Sequence, residues 1–316
     1  MSLRFSFLSR TVLLLFLGLV SRSTVLAQAG QFDWQTGSVL FPGIRHAALA
    51  VQEPRILKIN AVQIDLTTPG LSFKASGRDE DWGKPMPDYP SLEIRTRRIT
   101  TRDFLLQARQ RGQNMVLAVN SNGWRPWEKP FNHKYGGKLG LIISDGQLVS
   151  EPSRGPSLLV YRDGRVAFAH VAADADLSEV QTAVSGFCFV LEKGEVTNKD
   201  KSLHPRTGYG LSEDKRYLIF LTIDGRQKGY SEGATTAEVA EWLRHFGAWE
   251  GLNMDGGGST TLVYWDTAAG AVRRVNHQAG GAERRVGCSL GIVLPEEPPK
   301  IQVGDGRNSS TTDSGR

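Results

Sequence analysis

The apolar positions of this chain fall mostly into short runs, and in two places into a helical stripe. From Thr101 to Arg111, Phe104, Leu105 and Ala108 share one face of a 3.6-residue period, and Gly112 stands where such a helix ends. From Thr235 to Phe246 the stripe is fuller. Val239, Trp242, Leu243 and Phe246 follow the i, i+3, i+4, i+7 spacing, Thr235 and Glu238 have capping-box spacing, and Gly247 closes the segment. Elsewhere the pattern is that of strands. Leu139–Ser144 and Gln147–Val149 flank Asp145-Gly146, and Ser157–Arg162 and Arg165–Ala169 flank Asp163-Gly164, both hairpin signals. Phe187–Leu191 and Tyr217–Ile223 are further apolar runs. Two helices among about ten strands exclude a regular βαβ alternation. The pattern predicts an α+β fold: a mixed, largely antiparallel β-sheet system with a few packed helices in a single domain.

The two ends read differently from this middle. Arg4 and Arg10 precede a short apolar run, Thr11 to Val20, and Ala27-Gln28-Ala29 then offers a small-x-small cleavage site. That order describes a signal peptide over 1–29, and its apolar run is shorter than the roughly 20 residues of a spanning helix. A secreted, periplasmic or otherwise extracytoplasmic protein with no stable membrane span is expected. The segment 296–316 is polar, with Pro298-Pro299 and Asn308-Ser309-Ser310-Thr311-Thr312, and reads as a disordered tail. The folded part is expected over 30–295.

Composition sharpens this only slightly. The 316 residues are 40% hydrophobic and 22% charged, enough for a sizeable core, and two cysteines exclude a disulfide-dense scaffold. Cys188 and Cys288 are open to pairing or to separate burial. The net charge of +5 suggests an anionic partner. Three of those positive charges, Arg4, Arg10 and Arg22, leave with the signal peptide. No stripe of Lys and Arg interleaved with aromatics is present, so nucleic acid is not an expected partner. Arg95, Arg97 and Arg98 are the densest basic spot and read as a solvated face before the first helix.

Chemistry concentrates where strands end. Met115–Val119 runs into Asn120-Ser121-Asn122-Gly123, Leu218–Ile223 into Asp224-Gly225-Arg226, and Leu252-Asn253-Met254 into Asp255-Gly256-Gly257-Gly258-Ser259-Thr260. A carboxylate or amide at the exit of a buried strand is held rigidly beside a loop-lined cleft. Three glycines let the backbone approach a ligand and aim N–H groups at an anion, and Ser259 and Thr260 add hydroxyls. Without Gly-Lys-Ser/Thr this is not a nucleotide P-loop. In His204-Pro205-Arg206-Thr207, Arg206 can clamp a phosphate and His204 can serve as acid or base. Arg226 is a second anion clamp. Trp124 and Trp127, around Pro126, read either as a sugar-stacking platform or as core.

Taken in order, Ala118-Val119-Asn120, Ser185-Gly186-Phe187, His204-Pro205-Arg206-Thr207-Gly208, Asp224-Gly225-Arg226 and Asn253–Thr260 resemble the phosphodiester glycosidase family over roughly 110–292. That family includes an enzyme that uncovers mannose 6-phosphate tags by removing N-acetylglucosamine. Where the family reads Gly-Gly and an aromatic after the first Asn, this chain has Ser121-Asn122-Gly123-Trp124, and Val184-Ser185-Gly186-Phe187 replaces a richer glycine run. These departures sit at the expected substrate rim.

The resemblance implies a secreted hydrolase cleaving the C1–O bond of sugar-1-phosphodiesters, such as glycan or exopolysaccharide phosphodiesters. Asp255 is the expected essential carboxylate and Asp224 its partner, since glycosidases commonly use two carboxylates. His204 assists the bridging oxygen or holds Arg206. Asn120 orients sugar hydroxyls, and Arg206, Thr207, Arg226, Gly256, Gly257, Gly258, Ser259 and Thr260 bind substrate or phosphate. No cofactor is expected. The alternatives are a metal-dependent phosphodiesterase, with Asp224, Asp255 and Asn120 as oxygen ligands to Ca²⁺ or Mg²⁺, and a non-catalytic phosphoglycan-binding envelope protein.

Overall fold

Both expected helices form where the caps place them. Helix α1 spans Thr101–Gln110, with the Thr100 hydroxyl accepting from the Asp103 N–H, and Gly112 follows it at φ +82°. Helix α2 spans Thr236–His245 behind a complete Thr235–Glu238 capping box, and Gly247 adopts φ +96°. The computed structural model describes residues 30–129, 131–198 and 200–295; the expected signal peptide and tail lie outside the described residues.

The strands assemble into three larger sheets and two small ribbons. An eight-stranded sheet runs in the spatial order 38–41, 44–51, 57–65, 217–223, 206–211, 250–253, 188–192, 195–196. A five-stranded sheet orders 271–274, 262–266, 115–120, 289–293, 72–75, and another orders 147–150, 142–144, 180–185, 156–161, 166–170. Every strand pairing among the described residues is antiparallel, so the expected mixed character is absent and the fold is dominated by β-structure. The Asp145-Gly146 hairpin turns through positive φ at both residues, the geometry that matches strand twist.

The eight-stranded sheet is covered on both faces. Ile44, Val62, Ile64, Leu218 and Phe220 point into a central core shared with Leu117, Val119, Leu290 and Ile292 of the second sheet and with Ile142, Leu158 and Val184 of the third. Ile59, Ala61, Ile219, Leu221 and Ile223 point the other way, onto Val239, Trp242, Leu243 and Phe246 at α2. Alternate residues of 217–223 therefore serve opposite cores, which is why the segment reads as one unbroken apolar run. A Cβ on Gly208 would come within 2.9 Å of Val239, so glycine there lets α2 lie close to the sheet. Helix α1 covers the second sheet through Phe104, Leu105 and Ala108 against Met115, Ala118 and Val263.

Register places the functional segments at one end. Arg206 pairs with Ile223, and Gly208 and Cys188 both pair with Asn253. The His204–Thr207, Asp224–Arg226, Gly186-Phe187 and Asp255–Thr260 segments thus leave the sheet side by side. Asn120 ends the neighbouring sheet opposite Ser289. Cys188 and Cys288 are both free thiols, and burial pushes Cys288 up to about 12.

Candidate active site

Asp255 leaves strand 250–253 and turns into the glycine run, with its backbone N–H donating to the Ser121 carbonyl at 3.0 Å. Its side chain is buried, with Oδ2 lacking any hydrogen-bond partner, and the neighbouring hydroxyls of Ser259 and Thr260 are buried and unpartnered as well. Burial pushes the Asp255 carboxyl up to about 6; the Ser259 hydroxyl, which lies near it but outside hydrogen-bond geometry, the Arg284 guanidinium and the Gly256 N–H oppose that shift without cancelling it. Native structures rarely leave buried polar atoms unsatisfied unless a ligand or a chemical role explains them. Three such atoms within six residues mark this turn.

Asp255 forms part of the wall of a cleft of about 550 Å³ that is also lined by Trp124, Trp127, Leu139, Ser185 and Phe187. That volume suits a sugar-sized ligand. The two tryptophans take different parts: Trp124 is buried, while Trp127 is 44% exposed, with ring centroids 4.8 Å apart. Phe187, 57% exposed, packs its ring against Gly123, where a Cβ would come within 2.6 Å. Gly123 and Phe187 belong to the two stretches that depart from the family pattern.

The glycine turn is bracketed by two guanidinium groups. A Cβ on Gly257 would lie 3.1 Å from Arg226 Nη1, and a Cβ on Gly258 would lie 2.5 Å from Arg284 Nη2. Neither arginine has a carboxylate within ion-pair distance among the described residues. Arg284 is half-buried over the rings of Trp127 (5.4 Å) and Phe131 (5.0 Å). Burial holds its pKa below the usual arginine range, Asp255 opposes that shift, and Arg226 adds to it. Arg226 Nη2 donates to His204 Nδ1 at 2.9 Å. Burial, then Arg226 and Arg206, hold His204 below its ordinary value. It is therefore neutral at pH 7, and because Nδ1 accepts, its proton sits on Nε2.

Other residues expected at the site serve as its frame. The Asn120 amide donates to the Asp255 carbonyl at 2.6 Å, and its Oδ1 accepts from the Thr207 hydroxyl at 2.8 Å and the Thr261 N–H at 3.0 Å. Asn120 and Thr207 are fully buried, so they position Asp255 instead of contacting sugar hydroxyls or phosphate. Arg206 is buried, donating from Nε to the Ala234 carbonyl and from Nη2 to the Ser202 carbonyl. It ties loops together and is not an open anion clamp. Asp224 accepts from the His277 N–H on both oxygens and from the Asn276 amide, which also donates to the Thr260 carbonyl. Burial raises its pKa and the His277 bond opposes that rise. Asp224 thus anchors loop 276–278, and it does not line the cleft that Asp255 lines.

The glycine run also differs from the expected cradle. Gly257 N–H donates to the Pro205 carbonyl, Ser259 N–H to Gly256 and Thr260 N–H to Gly257. Three of the five backbone donors over 256–260 are thus engaged internally, which leaves Gly256 and Gly258 as the N–H groups open to an anion. In the oxygen triad expected for Ca²⁺ or Mg²⁺, Asn120 Oδ1 and both Asp224 oxygens accept bonds from protein donors. Among the described residues no cluster of three His, Cys, Asp or Glu is arranged to hold a metal.

Arg284 carried no local motif in the sequence. Only its packing reveals it. Arg98, expected on a solvated face, is buried over Trp124 at 3.9 Å and donates to the carbonyls of Phe131, His133 and Arg285. It joins the Trp124–Phe131 loop to the segment carrying Arg284.

The model of the phosphodiester glycosidase family matches residues 113–293. The chain belongs to the phosphodiester glycosidase family. Within that family it is 26% identical over 163 residues to the mouse N-acetylglucosamine-1-phosphodiester alpha-N-acetylglucosaminidase, an overlap of 44% of this chain and 31% of the mouse protein. The match thus spans about a third of that relative's length. The phosphodiester glycosidase fold is also shared with two solved structures. The catalytic domain of the zebrafish N-acetylglucosamine-1-phosphodiester alpha-N-acetylglucosaminidase, auto-inhibited by its pro-peptide, superposes with a TM-score of 0.59 at 18% identity, covering 85% of this chain and 87% of that one. A hypothetical protein from Synechocystis gives 0.57 at 12% identity, covering 80% and 62%.

Proposed function

We propose that this phosphodiester glycosidase hydrolyses the C1–O bond of sugar-1-phosphodiesters, with Asp255 acting at the anomeric carbon. The observation that carries the reading is the buried Asp255 carboxyl, with Oδ2 unpartnered and its pKa raised to about 6, lining a cleft and leading into a glycine turn beside which stand two arginines without carboxylate partners. A glycosidic transition state develops positive charge at C1, and a carboxylate shielded from water stabilises it strongly. The leaving phosphate is a weak base, so charge stabilisation matters more than protonation. Arg226 and Arg284 are suited to the phosphate oxygens, and the Nε2–H of neutral His204 is suited to the bridging oxygen. Exposed Trp127 and Phe187 offer apolar faces to the sugar ring.

N-acetylglucosamine is the first sugar to test, because it is the sugar in the name of the mouse relative. An export signal over 1–29 would place the substrate outside the cytoplasm, in an envelope or extracellular glycan. The test is turnover of N-acetylglucosamine-1-phosphodiesters by the purified protein in ¹⁸O-water with EDTA. Label in the sugar C1 hydroxyl is expected. Label in the phosphate would indicate a phosphodiesterase, and binding without turnover a phosphoglycan-binding protein.

A further inference from the structure

The cleft over Asp255 carries more positive charge than one scissile phosphate requires. Arg125, Lys138 and Arg154 all line it, and among the described residues Asp255 is the only acidic one that does. All three cations are exposed, and among the described residues none has a carboxylate within ion-pair distance. They come from separate segments that the fold draws together. Arg125 pairs its backbone with Gly137, which places Lys138 beside it, and Arg154 approaches from the loop before strand 156–161. Lys138 is held at φ +47°, a conformation few non-glycine residues adopt. This group is distinct from Arg226 and Arg284, which bracket the glycine turn. Like charges gathered around a concavity, three cations against the single carboxylate of Asp255, raise the local concentration of an anionic ligand. A neutral sugar would need only the aromatic rim.

We propose that the substrate is an anionic glycan bearing a second negative group near the scissile linkage, a phosphate or a uronate carboxylate, held by Arg125, Lys138 and Arg154 while Arg226 and Arg284 hold the reacting phosphodiester. The inference rests on the glycosidase reading. Guanidinium forks match phosphate and carboxylate equally well, so the shared chemistry is a planar or tetrahedral oxyanion.

The experiment compares three synthetic sugar-1-phosphodiesters that share one leaving group and differ in a neutral, phosphorylated or carboxylated extension. With the purified full chain at low ionic strength, the anionic compounds are expected to show kcat/KM roughly tenfold above the neutral one, a preference that shrinks as salt is added. The ratio between the two anionic compounds identifies which group the cleft takes. The double variant Lys138→Glu/Arg154→Glu should invert the preference, and Arg154→Lys should keep it. Equal kcat/KM for all three compounds, or a preference untouched by charge reversal, overturns the inference while turnover of the neutral compound leaves the glycosidase reading standing. If none is turned over, the glycosidase reading fails, and calorimetric binding of the same compounds to the same variants decides the charge preference independently.

Discussion

The side-chain amide of Asn120 donates to the backbone carbonyl of Asp255 at 2.6 Å, joining the ends of two sheets across 135 residues of sequence. The same Asn120 holds Thr207 and the Thr261 N–H, so one buried side chain sets where three segments meet. Replacing it by Ala leaves several buried groups unsatisfied. Asn120→Ala is expected to lose about 2–4 kcal/mol of stability, read by urea unfolding. A loss below about 0.5 kcal/mol would contradict the framing role.

Asp255 is raised to about 6, so between its unfolded value near 3.8 and that point the native state holds more protons than the unfolded chain. Stability therefore falls as pH rises through this window and levels off above it. Asp255→Asn removes the buried charge and should stabilise the protein at pH 7 by an amount on the order of 2 kcal/mol, with little gain at pH 4. Thermal unfolding at the two pH values measures the difference. Activity of the wild type should rise through about pH 6 to a plateau, because the ionised carboxylate is the working form, and Asp255→Asn should lose roughly a thousandfold in kcat.

Arg284 stacks on Trp127 and Phe131 and reaches the glycine turn. Arg284→Ala is expected to lower kcat/KM for a sugar-1-phosphodiester by about a hundredfold, and much less for an aryl glycoside with a neutral leaving group. Arg284→Lys should recover only part of the loss, since an ammonium lacks the planar fork and the stacking surface. Equal losses on both substrates would show that Arg284 does not serve the phosphate.

A methyl group at Gly258 would lie 2.5 Å from Arg284 Nη2, at the far end of a flexible side chain. Gly258→Ala should therefore displace Arg284 at modest cost to stability while lowering kcat/KM nearly as far as Arg284→Ala. The double variant should lose no more than the worse single one. Additive losses would mean that Gly258 acts through something other than Arg284.

Asp224 binds the His277 N–H and the Asn276 amide. Asp224→Asn keeps an acceptor for these donors and is expected to retain activity within about tenfold, whereas Asp224→Ala should lose about 1–3 kcal/mol of stability. A thousandfold fall in kcat for a folded Asp224→Asn would restore it as a second catalytic carboxylate.

Local signals were legible because they act over a few residues. The Thr235–Glu238 capping box, the α1 face of Phe104, Leu105 and Ala108, and the Asp145-Gly146 turn are short-range hydrogen bonds, periods and backbone preferences, and each appears where the pattern puts it. The run of Asp255 and its three glycines likewise stood out, because no ordinary turn calls for it. The division of labour at the site was not. Arg206 and Arg226 look alike as arginines near a turn, and only their partners separate them. Arg206 meets the carbonyls of Ala234 and Ser202, while Arg226 meets a histidine nitrogen and the glycine turn. Asp224 and Asp255 both follow buried strands; one finds donors on a loop more than fifty residues away, and the other finds none at Oδ2. Arg284 had no periodic or motif signal at all, Arg98 read as a solvated charge, and Phe187 as part of a strand motif with nothing to mark its exposure at the cleft. By itself the sequence determined the elements, their caps and the strand-end cluster, since these depend on neighbours along the chain. Tertiary structure alone decided which carboxylate stays unpartnered, which arginines stay free and which aromatics face the cleft, because burial and hydrogen-bond partners come from segments brought together across sheets.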